Sequence, residues 1–206
     1  LHYPLRRQRQ MCIRDRHKVK HNTKRLITSI KWVIFSIVVG IVAGSCGTAF
    51  YFALSVVTDF RMKYPWLIYF LPIGGLAIVG LYHLCKDDND TGTNLVISAI
   101  HSGDKVPFIM APLIFVSTLI THLFGGSAGR EGAALQMGGS IGSSIGRVFR
   151  FDEKDKHVMI MCGMSAAFSA LFGTPMAAAI FSMEMISVGV MYYIALVPCV
   201  RSSLIA

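Results

Sequence analysis

The residues best placed to do chemistry are Gly125-Gly126-Ser127-Ala128-Gly129-Arg130-Glu131-Gly132-Ala133-Ala134-Leu135-Gln136-Met137-Gly138. A glycine-rich entry into a helix leaves backbone N–H groups unpaired at the positive end of the helix dipole. Such amides bind an anion without any cationic side chain. Partial charges also hold the ion weakly enough for it to leave again, as conduction requires. Glu131 lies in this same turn, at the edge of apolar sequence. A carboxylate there would mimic the anion and compete for its place, and protonation would release the site; an ionisable residue in a membrane segment points to function. The plainer alternative is an Arg130–Glu131 interfacial pair that anchors a helix end. Two further turns are weaker. Gly92-Thr93-Asn94-Leu95-Val96 alone reads as an ordinary helix cap, and Glu184 is the other acid set within an apolar run.

The elements that must position these residues belong to a membrane. The 206 residues are 53% hydrophobic and only 15% charged, where a soluble domain carries about a quarter. No charged side chain occurs between Trp66 and Cys85 or between Val106 and Ala128, and apolar runs of about twenty residues are what a helix needs to cross the hydrocarbon layer. Leu26 to Phe60 is interrupted only by Lys31 and Asp59. As one helix it would run about 50 Å, so it must tilt, break or extend beyond the hydrocarbon. Gly40, Gly44 and Gly47 fall near one face and permit close helix contact. Pro65 restarts a second span to about Cys85, and a third full span is expected from about Pro107 to Phe124.

Shorter pieces follow. Leu95–Ile100 cannot cross, and the small-residue stretch from Gly125 to Arg147 suits packing against other helices rather than lipid. After FDEKDKH come His157–Phe172, a Gly-Thr-Pro break, Met176–Ile186 and a last apolar stretch, Val188–Val200. Short or Gly/Pro-interrupted segments mark transporters built with broken helices around a mid-membrane site. The fold class is therefore all-α, a polytopic membrane protein with tilted and broken helices.

The net charge of +9 does not point to nucleic acid, because it is concentrated at one end. Residues 1–26 hold nine Lys or Arg against a single Asp, a basic segment before a first span that the positive-inside rule places in the cytoplasm. Its ordinary role is to lie solvated against anionic lipid headgroups. The division expected is 1–23 as this basic segment and 24–206 as the transmembrane domain. LHYPLRRQRQMCIRDR shows no apolar periodicity, and its MCIRDR stretch resembles translated adapter read-through, so the native sequence is expected to begin near His17. Cys12, Cys46, Cys85, Cys162 and Cys199 lack CxxC spacing and read as packing residues, implying neither metal nor disulfide. His101, His122 and His157 have no ligand-type spacing, and Met159, Met161 and Met164 read as core. No cofactor is implied.

The GREGA turn followed by LQMGG resembles the GREGP motif of the CLC chloride channel and transporter family, whose Glu is the gating carboxylate facing the extracellular side. Ala133 replaces the proline. The resemblance extends to Gly92-Thr93-Asn94-Leu95-Val96, in the place of the family's GSGIP turn, where Thr93 would supply the hydroxyl for the central anion; Asn94 and Val96 depart from the pattern. The run from Gly173 to Glu184 resembles the family's N-A-P-L-A-G-x-x-F-x-x-E stretch, in which this Glu looks structural. Met185 stands where proton-coupled chloride exchangers carry a Glu. The resemblance covers roughly residues 24–200, the first of two inverted halves; the GxFxP turn and the pore-lining Tyr of the second half do not occur here. It implies halide transport gated by Glu131, with Gly92, Thr93, Asn94, Gly129, Arg130, Glu131, Gly132 and Ala133 holding the anion. It also implies a homodimer in the full-length protein and a multi-pass place in the cell membrane. Met185 leaves open a channel or the fluoride/proton antiporter branch, with chloride slightly ahead. Readings of another class are a membrane-embedded enzyme, against which no HExxH, Ser/His/Asp set or phosphate loop appears, and an inactive truncated scaffold. The 206 residues alone are expected not to conduct.

Overall fold

A computed structural model describes residues 3–84, 107–185 and 193–206, with side chains from Thr28 onward. Gly92, Thr93 and Asn94, together with Leu95–Ile100, His101 and Cys85, lie outside the described residues. All described elements are helical: α1 (Tyr3–Lys63), a 3₁₀ segment (Pro65–Phe70), α2 (Leu71–Leu84), α3 (Met110–Leu123), α4 (Arg130–Val148), α5 (Glu153–Phe172), α6 (Pro175–Glu184) and α7 (Tyr193–Ile205). The chain forms two compact units, Leu1–Phe35 and Ser36–Ala206. In the first, the backbone is helical from Tyr3, and Lys31 Nζ lies 5.5 Å from the Trp32 ring centroid. All packing described below belongs to the second unit.

Two helical stretches are long and apolar enough to cross a membrane, Thr28–Lys63 with 36 residues and Pro65–Leu84 with 20. The first is unbroken, at about 54 Å against a hydrocarbon core of about 30 Å. The third expected span is corrected. α3 has only 14 residues, about 21 Å, because Pro107 precedes its first turn and Gly125, at φ 82°, ends it. The last helix is also shifted from expectation: α7 continues through Arg201, Ser202 and Ser203 to Ile205, with both serines buried.

Small residues set the packing. Among the described helices that follow α1, α4 and α5 make the most extensive contact. A methyl group on Gly138 would strike the Gly163 carbonyl, one on Gly142 the Met159 carbonyl, and one on Gly163 the Gly138 carbonyl. α5 is sewn to α7 by hydroxyls: Ser165 Oγ donates to Cys199 O at 3.2 Å, Ser169 Oγ to Ser203 O at 2.7 Å, and Ser202 Oγ to Cys162 O at 3.1 Å. Polar side chains that cross-link helices in this way replace the missing hydrophobic drive between helices in lipid. Cys162 and Cys199 are buried free thiols with Sγ atoms 3.9 Å apart, and Cys46 Sγ lies 3.4 Å from Met137 Sδ. These three cysteines act as packing residues. Met159, Met161 and Met164 are core. The glycine face of α1 also behaves as read from the sequence: Gly40 meets Ser202 and Ile205, Gly44 meets Ala206, and Gly47 meets Ala167 and Ala170.

Outside this core, large apolar side chains face outward. Trp66, Ile68, Tyr69, Phe70, Ile73, Leu76 and Val79 are all exposed along the 3₁₀ segment and α2. A soluble monomer rarely tolerates such a contiguous surface. It is the surface of a membrane protein.

Candidate anion site

The Phe124–Gly129 loop decides where α4 begins. Gly125 N–H donates to His122 O at 3.2 Å and Gly126 N–H to Thr121 O at 2.8 Å, closing the end of α3. The left-handed backbone at Gly125 favours glycine. The Phe124 ring rests on Gly74 of α2, and Gly126 faces Leu71. The loop is thus clamped between α3 and the start of α2, and it delivers Gly129 to the N-cap of α4 in an extended conformation, φ −70° and ψ 128°.

No side chain caps this helix. The amides of Arg130, Glu131 and Gly132 precede the first intrahelical bond and donate to no other described backbone group. Nothing lies within 4 Å of where a Gly129 side chain would begin. An uncapped N-terminus with open space before it can accept an anion. Arg130 and Glu131 are exposed, Gly132 is half-buried, and from Ala133 inward the helix is buried. Gly129, Arg130, Glu131, Gly132 and Ala133 are therefore brought together as one turn. Arg130 and Glu131 form no ion pair with each other or with any other described residue, since neighbouring helix positions point apart. The anchoring-pair alternative finds no support.

α4 is aimed by its whole length. Ser140 Oγ donates to Pro107 O at 2.8 Å, tying the middle of α4 to the entry of α3. The acid Glu131 in the first turn and Arg147 in the last both suit the helix dipole. Glu184 is not part of this turn. It ends α6, exposed, beside half-buried Met185. α6 begins at Thr174-Pro175, after Gly173 closes α5 in a left-handed conformation, φ 67°. His122 Nδ1 lies 2.9 Å from Thr118 O, an intrahelical contact.

Reading the residues in order missed Arg61. It lies in the last turn of α1, half-buried, and its guanidinium lies against Gly125. Its signal was present, as the basic residue just after a long apolar stretch, but only the fold brings it to the loop before α4.

The voltage gated chloride channel family profile matches residues 74–206. The chain is 42% identical over 177 residues to the chloride/fluoride channel protein of Pseudomonas syringae pv. tomato, aligning 85% of this chain with 39% of that protein. It is 27% identical over 172 residues to the H(+)/Cl(-) exchange transporter ClcA of Vibrio campbellii, 76% of this chain with 37% of that one. Among solved structures, a CLC-type fluoride/proton antiporter superposes with a TM-score of 0.79 at 37% identity, covering 85% of this chain and 45% of the other. A slow cyanobacterial Cl−/H+ antiporter superposes at 0.67 with 25% identity, covering 84% and 45%. The chain spans less than half the length of each of these relatives.

Proposed function

Because this chain belongs to the voltage-gated chloride channel family, we propose that it supplies the anion-binding first half of a halide transporter in which Glu131 is the gate. The observation that carries this reading is the uncapped start of α4, with Glu131 exposed in the same turn. A halide accepts from the amides of Arg130, Glu131 and Gly132, with Gly129 and Ala133 leaving room and shape to the turn. The ionised Glu131 carboxylate competes for that place, and protonation withdraws it. Gly92, Thr93 and Asn94 would add a second contact, with the Thr93 hydroxyl donating to a dehydrated anion. Glu184 serves the fold. Transport, rather than turnover of a substrate, is the activity, since the relatives are channels and transporters.

The same reading makes the protein multi-pass in the cell membrane, with the N-terminus cytoplasmic and Glu131 toward the outer side. The basic stretch before α1 supports that orientation. The complete protein is a homodimer by resemblance to its family.

Chloride and fluoride are both open to this site. Fluoride is favoured by one observation: the relatives whose names include fluoride, a chloride/fluoride channel protein and a fluoride/proton antiporter, match at 42% and 37% identity, against 27% and 25% for the chloride/proton exchangers. Met185, in place of a second carboxylate, agrees with that branch.

The test is flux from liposomes carrying the complete gene product that includes these residues, with chloride, fluoride and proton movement recorded together. Wild-type protein moves halide with a pH-dependent rate, and Glu131→Gln loses the pH dependence while the protein stays monodisperse. Unchanged flux and unchanged pH response in Glu131→Gln would return that residue to a helix-end role.

A further inference from the structure

We propose that Arg61 is a positioning residue that collects anions at the mouth of the α4 site; this rests on the anion-site reading above. The guanidinium and the loop are shaped to each other. A Cβ on Gly125 would sit 3.3 Å from Arg61 Nη1 and 3.6 Å from its Cδ, and 3.5 Å from Ile68 Cγ1. Glycine at this position both accepts the left-handed backbone and leaves room for the cation.

Arg61 is half-buried, yet it has no ion-pair or hydrogen-bond partner among the described residues. Withdrawing a charge partly from water without pairing it is costly, so a purely structural arginine would be expected to hold an acid. The charged groups on the adjoining ends are Asp59 and Lys63 on α1 and Arg130 and Glu131 on α4, all exposed, with His122 in the last turn of α3. Arg61, Lys63 and Arg130 outnumber the two acids, and all belong to segments that meet at the loop preceding α4. A cation with low-dielectric protein behind it focuses its field outward and raises the local anion concentration. Arg61 therefore acts on arrival, while the α4 amides hold the ion. It touches neither the amides nor the gate carboxylate.

The test separates arrival from passage. Half-saturating external halide and maximal flux are measured for the complete gene product with Arg61→Gln, Arg61→Glu and Arg61→Lys, each at low and high ionic strength. Removing one charge at such a rim raises the half-saturating concentration about fivefold at low salt; reversal raises it further, and Lys restores most of the loss. Maximal flux changes little, and the differences shrink at high salt because screening removes them. The proposal is overturned if all three variants keep the wild-type half-saturation at low salt, or if maximal flux falls with half-saturation unchanged, as for a structural arginine. A variant that does not fold is recognised by size-exclusion, and the Arg61→Lys and Arg61→Glu pair then decides by the sign of charge alone. Glu131→Gln run in parallel keeps the two readings apart: loss of its pH response with no Arg61 effect sinks this proposal only, whereas an Arg61 effect without any Glu131 effect sinks the gate.

Discussion

At the scale of single residues, two carboxylates illustrate how the same side chain takes different work from its surroundings. Glu131 stands unpaired among the described residues at an uncapped helix start, the surroundings from which the gate role is proposed above. Glu153 opens α5 on the exposed loop and is bound by Lys156 Nζ at 2.7 Å, and that hydrogen bond and charge hold its carboxyl below the usual range. A depressed carboxylate contributes stability that is present above the unfolded value, about 4.3, and is lost as pH falls through the folded one. Its titration therefore lies on the acid side of neutral, and because the carboxylate is exposed the effect is screened to little. Glu153→Gln is expected to leave the flux–pH curve unchanged above about pH 5, whereas Glu131→Gln flattens it. A flux assay across that range with both variants checks the assignment, and a flattened curve in Glu153→Gln would move the sensor to the loop.

At the scale of elements, α4 and α5 are joined through glycine rather than through large side chains. Gly138→Ala would push a methyl into the Gly163 carbonyl and into the Ala167 side chain. Overpacking of this kind costs about 1–3 kcal/mol, and it acts on the helix that begins at the proposed anion turn. Gly129→Ala has open space and φ −70°, so it should cost only the few tenths of a kcal/mol to about 1 kcal/mol of an N-cap change. Thermal unfolding in detergent should separate the two clearly, with Gly138→Ala melting lower; equal melting would mean that α4 and α5 are less closely apposed. Ser202→Ala removes the bond to Cys162 O across α5 and α7. Interhelical hydrogen bonds in membranes average about 0.6 kcal/mol, so a small drop in melting temperature is expected with flux retained.

For the whole molecule, alternation of helix direction sets which loops share a side. Within the second unit α1 ends at Lys63, α3 ends at Leu123 and α4 starts at Arg130, and the packing of Arg61, Phe124 and Gly126 against one another's elements puts these ends together. The α4–α5 connection is at the other end of α4. With the N-terminus cytoplasmic, Lys63→Cys should react with a membrane-impermeant maleimide from outside, and Lys154→Cys only after permeabilisation. Both positions are exposed. The reverse pattern would invert the topology proposed above. The broad outward apolar face of α2 also implies that the protein stays with the membrane fraction under alkaline carbonate.

The sequence by itself determined the class of environment, the helical make-up and the glycine-rich entry into a helix before Arg130. Each is written locally: charge-free runs of membrane length, a break at Pro65, and glycines immediately before Arg130 and Glu131. Helix ends depend on the few residues around them, so a helix entry at the glycines before Arg130 and a break after Phe172 were legible, and the structure puts the N-cap at Gly129 and a left-handed stop at Gly173. The length of α3 was less so, because hydropathy does not register a chain that turns within apolar sequence: its 14 residues stop at a glycine conformation rather than at a polar residue. Only the tertiary structure decided which glycines are tightly packed and which face open space, since Gly129 and Gly138 look alike in sequence but differ entirely in what surrounds them. It alone brought Arg61 to Gly125, residues 64 positions apart. Periodicity specifies which face a helix buries; which partner covers that face, and which charge is left without an acid, follow from packing across the fold.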